Sequence, residues 1–369
     1  MGSTMNRPDI SPARSTMARW ALLATLLAVV VVMLGAWTRL VDAGLGCPDW
    51  PGCYGFLTVP QSADSIALAE SRFPHAPVDA AKGWPEMIHR YFAGALGLVI
   101  LGLAVFAVRR RSDAQIPLKL PLFLLAMVIL QAAFGMWTVT LKLWPQVVSA
   151  HLLGGFTTLT LLFLLTLRLW KSPVILSPGQ SEQLKGPQRL LVAALVAVVI
   201  QIALGAWVAS NYAAVACTDL PTCQGQWWPD MDFEHGFNFF QHVGPNYLGG
   251  QLNNDGRVAI HVSHRIGALA VLVVVGAALV FLWRRTRHRE LRQGAALVGL
   301  LLGLQLMLGL TNIWLQLPVA VAVAHNAGGA ALLLSLVYLI HRLQTASMAP
   351  TFFQQLRPEL IPEAGILHE

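Results

Sequence analysis

Eight apolar stretches, each long enough to cross a bilayer, leave this chain few ways to fold. They lie near residues 19–41, 86–109, 118–140, 146–170, 188–211, 260–284, 293–316 and 319–342, and a spanning helix needs roughly 20 apolar residues. None alternates polar with apolar as a half-buried strand would, and an open sheet cannot satisfy its edges in lipid. The expected class is an all-α integral membrane protein with eight transmembrane helices. Composition agrees: of 369 residues 56% are hydrophobic and 12% charged, about half the charged share of a soluble domain. The first stretch follows a short basic lead, but it is too long for a signal peptide and no clear small-residue cleavage site follows it. It reads as a membrane anchor.

The net charge of +7 is explained by where the basic residues stand. They gather on alternate connections: Arg7, Arg14, Arg19; Arg109, Arg110, Arg111, Lys119; Arg168, Lys171, Lys185, Arg189; Arg284, Arg285, Arg287, Arg289, Arg292; Arg342, Arg357. By the positive-inside rule these connections and both termini are cytoplasmic. The charge therefore reports topology, and no nucleic-acid partner is expected. The expected location is a bacterial inner membrane, with lipid as the surrounding partner. Two long segments, 42–85 and 212–259, then face outward and hold all four cysteines: Cys47, Cys53, Cys217 and Cys223. In an oxidising compartment two disulfides, one in each segment, are expected. Free thiols or a shared metal are the alternatives, although the spacing is not that of a zinc site.

The chain repeats itself. Gly35-Ala36-Trp37 returns as Gly205-Ala206-Trp207, and Cys47 and Cys53 as Cys217 and Cys223, each at an offset of 170. After a longer second outer segment, His89-Arg90 returns as His264-Arg265 at 175, and Gln131, Gly135 and His151 as Gln305, Gly309 and His325 at 174. Such order implies two tandem four-helix bundles. An even number of helices separates equivalent points, so the bundles share one orientation, related by a pseudo-twofold along the membrane normal. The division expected is 1–172 for the N-terminal half, 173–187 for a cytoplasmic linker, 188–345 for the C-terminal half and 346–369 for a cytoplasmic tail.

His89, His151, His264 and His325 each open an even-numbered helix at its outer end. Within a bundle those helices are parallel, so the two histidines stand at one depth, as the axial ligands of a six-coordinate haem iron must. One turn further on, at i+4, stand Ala93, Gly155, Ala268 and Gly329, and Gly154, Gly267 and Gly328 occupy three of the i+3 positions. Small residues on the histidine's face leave room for a flat macrocycle. A lone histidine at a helix end is usually an interfacial polar residue, and small residues are usually packing contacts. Four histidines at repeating offsets, each with small neighbours, favour haem. Arg90 and Arg265 follow the first histidine of each pair and could bind haem propionates. His75, His235, His242 and His288 have no repeat partners and read as loop or surface residues. The Gln-x-x-x-Gly pattern of Gln131/Gly135, Gln201/Gly205 and Gln305/Gly309 reads as close helix packing, with the glutamine able to bond across the bundle.

The halves differ at one chemical position. Glu86 stands three residues before His89, and His261 three before His264. A carboxylate beside one haem position could guide protons or stabilise a cation. Alternatively, Pro85-Glu86 simply starts a helix, where an acidic residue suits the first turn.

These residues resemble the haem A synthase family. The resemblance runs from Gly35-Ala36-Trp37-Thr38-Arg39 through Gly44-Leu45-Gly46-Cys47-Pro48-Asp49-Trp50-Pro51 and Glu86-x-x-His89-Arg90 to His151, His261-x-x-His264-Arg265 and His325. It covers about residues 19–342. It implies oxidation of the C8 methyl of haem O to the formyl group of haem A, for cytochrome oxidase assembly. It further implies a haem b cofactor on His264 and His325, and substrate haem between His89 and His151 with Glu86 as catalytic carboxylate. A haem O synthase and cytochrome oxidase assembly factors become the expected partners, with an unidentified electron donor. Two rival readings remain: a di-haem b-type electron carrier, which needs no carboxylate beside one haem, and a parallel-repeat transporter, which needs no haem.

Overall fold

The computed structural model describes residues 11–170 and 178–355. Arg7, Lys171 and Arg357 lie outside those residues, as do parts of the expected linker and tail. Among the described residues eight helices are long and apolar enough to span a membrane. They are α1 (Pro12–Leu40), α3 (Ala80–Arg109), α4 (Lys119–Thr140), α5 (Pro145–Trp170), α6 (Pro178–Ser210), α8 (Asn254–Arg285), α9 (Arg289–Trp314) and α10 (Val319–Gln355). Two short helices, α2 (Ala63–Arg72) and α7 (Phe233–Gly236), sit in the outer segments. The only β-pairing among the described residues is two isolated bridges, Cys53 with Phe56 and Cys223 with Gln226.

Several helices begin before their apolar run does. The start of α1 is set by Ser11, whose hydroxyl accepts from the Arg14 N–H, with Pro12 in the first turn, a favoured N-terminal arrangement. Helix α3 starts at Ala80 because Asp79 accepts from the Ala81 and Lys82 N–H groups. Helix α6 starts at Pro178 and carries Pro187 inside it, so residues expected to lie in a linker are helical.

The core and the periphery are both apolar. Leu98, Leu300 and Val273 are 71%, 70% and 68% exposed, on surfaces that lipid can cover at no cost. The interior is closed by small residues: Ala21, Ala24 and Ala28 of α1 are fully buried at helical spacing, where α1 packs on α3 and α5. Helices α6, α8, α9 and α10 pack on one another as α1, α3, α4 and α5 do. The two sets meet through α1, α5, α6 and α10. Ser149 of α5 and Ser210 of α6 share a buried hydrogen bond, 3.0 Å, across that meeting.

Equivalent turns are built alike. At the end of α1, Asp42 has positive φ and Ala43 N–H bonds the Thr38 carbonyl. At the end of α6, Tyr212 and the Ala213–Val208 pair do the same. Lys142 and Leu143 after α4 match Gln316 and Leu317 after α9. Each is the left-handed cap that returns a chain at a helix end.

Candidate haem sites at the histidine pairs

Both outer segments fold into a small disulfide loop above a histidine pair. The expected disulfides, Cys47–Cys53 and Cys217–Cys223, are formed. Tyr54 and Gly55, and Gln224 and Gly225, have positive φ at the tip of each bridge, as a tight two-residue hairpin turn requires. Asp49 accepts the Tyr54 and Gly55 N–H groups at 2.6 and 2.7 Å. Asp219 accepts those of Gln224 and Gly225 at 2.7 and 3.0 Å.

The two arginines related by the repeat hold these loops. Arg90 donates to the carbonyls of Asp49 (2.9 Å), Pro51 (3.3 Å) and Gly52 and pairs with Glu86. Arg265 donates to the carbonyls of Thr222 and Cys217 at 2.9 and 3.0 Å. The guanidiniums expected to meet propionates thus have loop carbonyls as partners.

Glu86 does not start its helix. With Asp79 as the cap, Glu86 lies nearly two turns inside α3 and is 5% exposed, which removes the capping alternative. Its carboxylate accepts the Cys47 N–H at 2.9 Å besides the Arg90 pairing. His261 holds the same register in α8. Its Nδ1 lies 2.9 Å from the Ala213 carbonyl, which can only accept, so Nδ1 carries the proton. Both residues tie a loop to a helix, but only Glu86 brings a negative charge.

The rings of His89 and His151 face each other at 6.5 Å between centroids and 90° between planes. Two imidazoles on opposite sides of one metal, each with a bond of about 2 Å, stand about 6 Å apart by centroid, so the spacing of the pair fits two ligands of one iron. The Nδ1 atoms of His89, His151 and His325 are buried without a hydrogen-bond partner. Buried imidazoles not fully committed to protein partners are ligands a haem iron takes.

The glycines expected to serve helix packing are seats for these rings. A Cβ on Gly35, Gly135, Gly205 or Gly309 would lie 3.0, 3.5, 3.2 or 3.2 Å from Cε1 of His89, His151, His264 or His325 respectively. The i+3 glycines have a different role from the one expected. A Cβ on Gly154, Gly267 or Gly328 would overlap the side chain of Gln131, Gln201 or Gln305, so these notches receive a carboxamide rather than a macrocycle. Gly155, at i+4, has open space around it. Neither the ring seats nor the carboxamide notches follow from spacing along one helix, because each joins a residue to its complement on a neighbouring helix.

The aromatic second outer segment crosses to the other half. Trp144 Nε1 donates to the Gln241 carbonyl (3.0 Å), Gln146 to that of Phe239 (3.0 Å), and the Tyr247 N–H to that of Lys142 (3.0 Å). It therefore covers the α4–α5 turn, from which α5 leads directly to His151. His235, expected at the surface, is there and pairs with Asp232 at 2.6 Å.

Eight helices long and apolar enough to span a membrane, with two histidine pairs beside disulfide-closed loops, describe a multi-pass membrane protein. Residues 18–337 match the cytochrome oxidase assembly protein family described as COX15-CtaA, and the chain belongs to that family. It is 43% identical over 335 residues to the haem A synthase of Shewanella oneidensis, covering 89% of this chain and 98% of the relative. The haem A synthases of Rhizorhabdus wittichii and Sphingopyxis alaskensis are 26% and 29% identical, over 92% and 90% of this chain and 98% and 94% of their own.

Proposed function

We propose that this protein is an oxidoreductase converting the C8 methyl of haem O to the formyl group of haem A, the reaction its relatives are named for. The observation that carries the reading is the His89–His151 ring pair with Glu86 one turn above it, where the otherwise matching half carries His261. The N-terminal pair takes the substrate haem and the C-terminal pair, His264 and His325, holds haem b. When bound, haem b supplies reversible one-electron chemistry.

The protein's own residues do the rest. The ring seats hold the imidazoles at a set depth. Arg90 and Arg265 fix the disulfide loops that exclude water from above, and propionate contact through them requires a loop carbonyl to be exchanged. Glu86, the acidic group one turn from His89 where the matching residue is His261, stabilises positive charge or accepts a proton at its carboxylate oxygens. The α1, α5, α6 and α10 contacts join the two bundles, and electron transfer between the pairs would pass across them. In this reading the halves are tandem bundles related by a pseudo-twofold along the membrane normal, with termini in the cytoplasm and sites toward the outer face of a bacterial inner membrane.

The test is extraction and chromatography of haems from protein purified from a host that makes haem O. Haem A beside haem b is expected. Haem b alone, with haem O available, overturns the synthase and favours an electron carrier.

A further inference from the structure

Three of the four histidines share a device that the fourth lacks. The notch at i+3 beyond His151, His264 and His325 is a glycine, filled by Gln131, Gln201 and Gln305 from the neighbouring helix. Gln201 shows what the device does. Its Nε2 lies 3.1 Å from His264 Nδ1 and 2.9 Å from the His264 carbonyl oxygen. Gln305 Nε2 lies 3.4 Å from His325 Nε2. A carboxamide can donate to a bare ring nitrogen or accept from a protonated one, and an outer hydrogen bond of this kind fixes ring orientation and raises ligand basicity.

At His89 both parts are replaced. The position matching Gln201, at the offset of 170, is Val31, and the position matching Gly267, at 175, is Phe92. The valine side chain offers no polar atom, and phenylalanine leaves no notch for a carboxamide. His89 is held from behind by Gly35, no carboxamide stands beside it, and Glu86 is one turn away on the same helix. Loss of the glutamine and of its glycine together at one site, out of four built alike, marks a functional difference between histidines.

We propose that His89 is the exchangeable ligand of the substrate pair. His151, with the Gln131 carboxamide seated in the Gly154 notch beside it, would stay with the substrate haem and keep it in place. With His89 swung away, the side of the site toward α3 would be open to a small diatomic ligand beside Glu86. His264 and His325, each with a carboxamide, remain bound, so the cofactor iron stays closed. This rests on the assignment of substrate and cofactor halves given above.

The test is carbon monoxide binding to the reduced, fully haem-loaded protein, read from its absorbance spectrum. One haem per chain is expected to bind carbon monoxide, and it is the one lost in His151→Ala and kept in His264→Ala. His89→Ala is expected to keep its substrate haem. Installing the clamp with Val31→Gln and Phe92→Gly together should lower carbon monoxide affinity about fivefold, the scale of one net hydrogen bond. Should that double variant fail to fold, Gln201→Val gives the reciprocal reading: the haem b that was closed becomes reactive. Carbon monoxide binding to both haems or to neither in the wild type overturns the proposal. So does an unchanged affinity in the clamped variant, or equal loss of substrate haem from His89→Ala and His151→Ala. A protein that yields haem b and never haem O or haem A fails earlier, and overturns the substrate assignment itself.

Discussion

The carboxylate of Glu86 accepts a hydrogen bond from the Cys47 backbone N–H at 2.9 Å, so the acidic group beside the N-terminal histidine pair is also an anchor of the disulfide loop. Two roles at one carboxylate can be separated by substitution. Glu86→Gln keeps an oxygen for the Cys47 N–H but loses the charge. The protein should fold, bind both haems and convert haem O at least about 100-fold more slowly, the lower range for a lost acid–base group. The haem O to haem A ratio in the extract checks this, and wild-type conversion would leave Glu86 a loop anchor only.

The ring seats predict a steric effect. Gly205→Val places a branched side chain against Cε1 of His264, already 3.2 Å from a bare Cβ. Overpacking of this kind costs about 1–3 kcal/mol, and haem b content should fall. Gly276→Ala, about three turns beyond His264 along α8 with nothing near its Cβ, should leave haem content unchanged. Equal effects from the two would show that the seat is not what limits ring position.

Arg265 ties the C-terminal disulfide loop through the Thr222 and Cys217 carbonyls. Arg265→Ala should free the loop and speed reduction of Cys217–Cys223 by a soluble thiol, measured by alkylation of released cysteines. Hydrogen bonds from a charged donor are worth about 1.5–3 kcal/mol, so a tenfold faster reduction is expected. An unchanged rate would place the tether elsewhere.

The same loop carries a pH dependence with a definite sign. Hydrogen bonds from the Thr222 hydroxyl, then from the Gly225 and Gln224 N–H groups, hold the Asp219 carboxyl down at about 2. A carboxyl depressed in the folded state stabilises it above the ordinary value of about 3.9. That contribution is lost as pH falls through about 2. Hydrogen-exchange protection at Gln224 and Gly225 should therefore survive at about pH 4 and fade toward pH 2, and should not depend on pH in this range in Asp219→Asn. Loss of protection already near pH 4 in the wild type would contradict this.

Much of this architecture is written in one-dimensional patterns. Apolar length marks all eight spans, and the offsets of 170, 174 and 175 mark four histidines, four cysteines and Glu86 against His261. What is not legible is complementarity between helices. The Gln-x-x-x-Gly motif and the glycine three residues after a histidine each stand out alone. That Gln201 fills the notch of Gly267, while Gly205 backs His264, depends on how α6 lies on α8. The helix starts were missed for a related reason: Asp79 extends α3 outward through a polar segment, and hydropathy does not record a cap. The crossing of Phe239–Tyr247 onto the α4–α5 turn is likewise fixed by backbone carbonyls, which every residue carries and no motif displays.

Substrate at one histidine pair and cofactor at the other is the arrangement on which the proposed chemistry depends. The most direct measurement is the haem extracted from His264→Ala, expressed where haem O is made. The account predicts loss of haem b and retention of unconverted haem O at the His89–His151 pair. Haem A formed at the wild-type rate by this variant would contradict it.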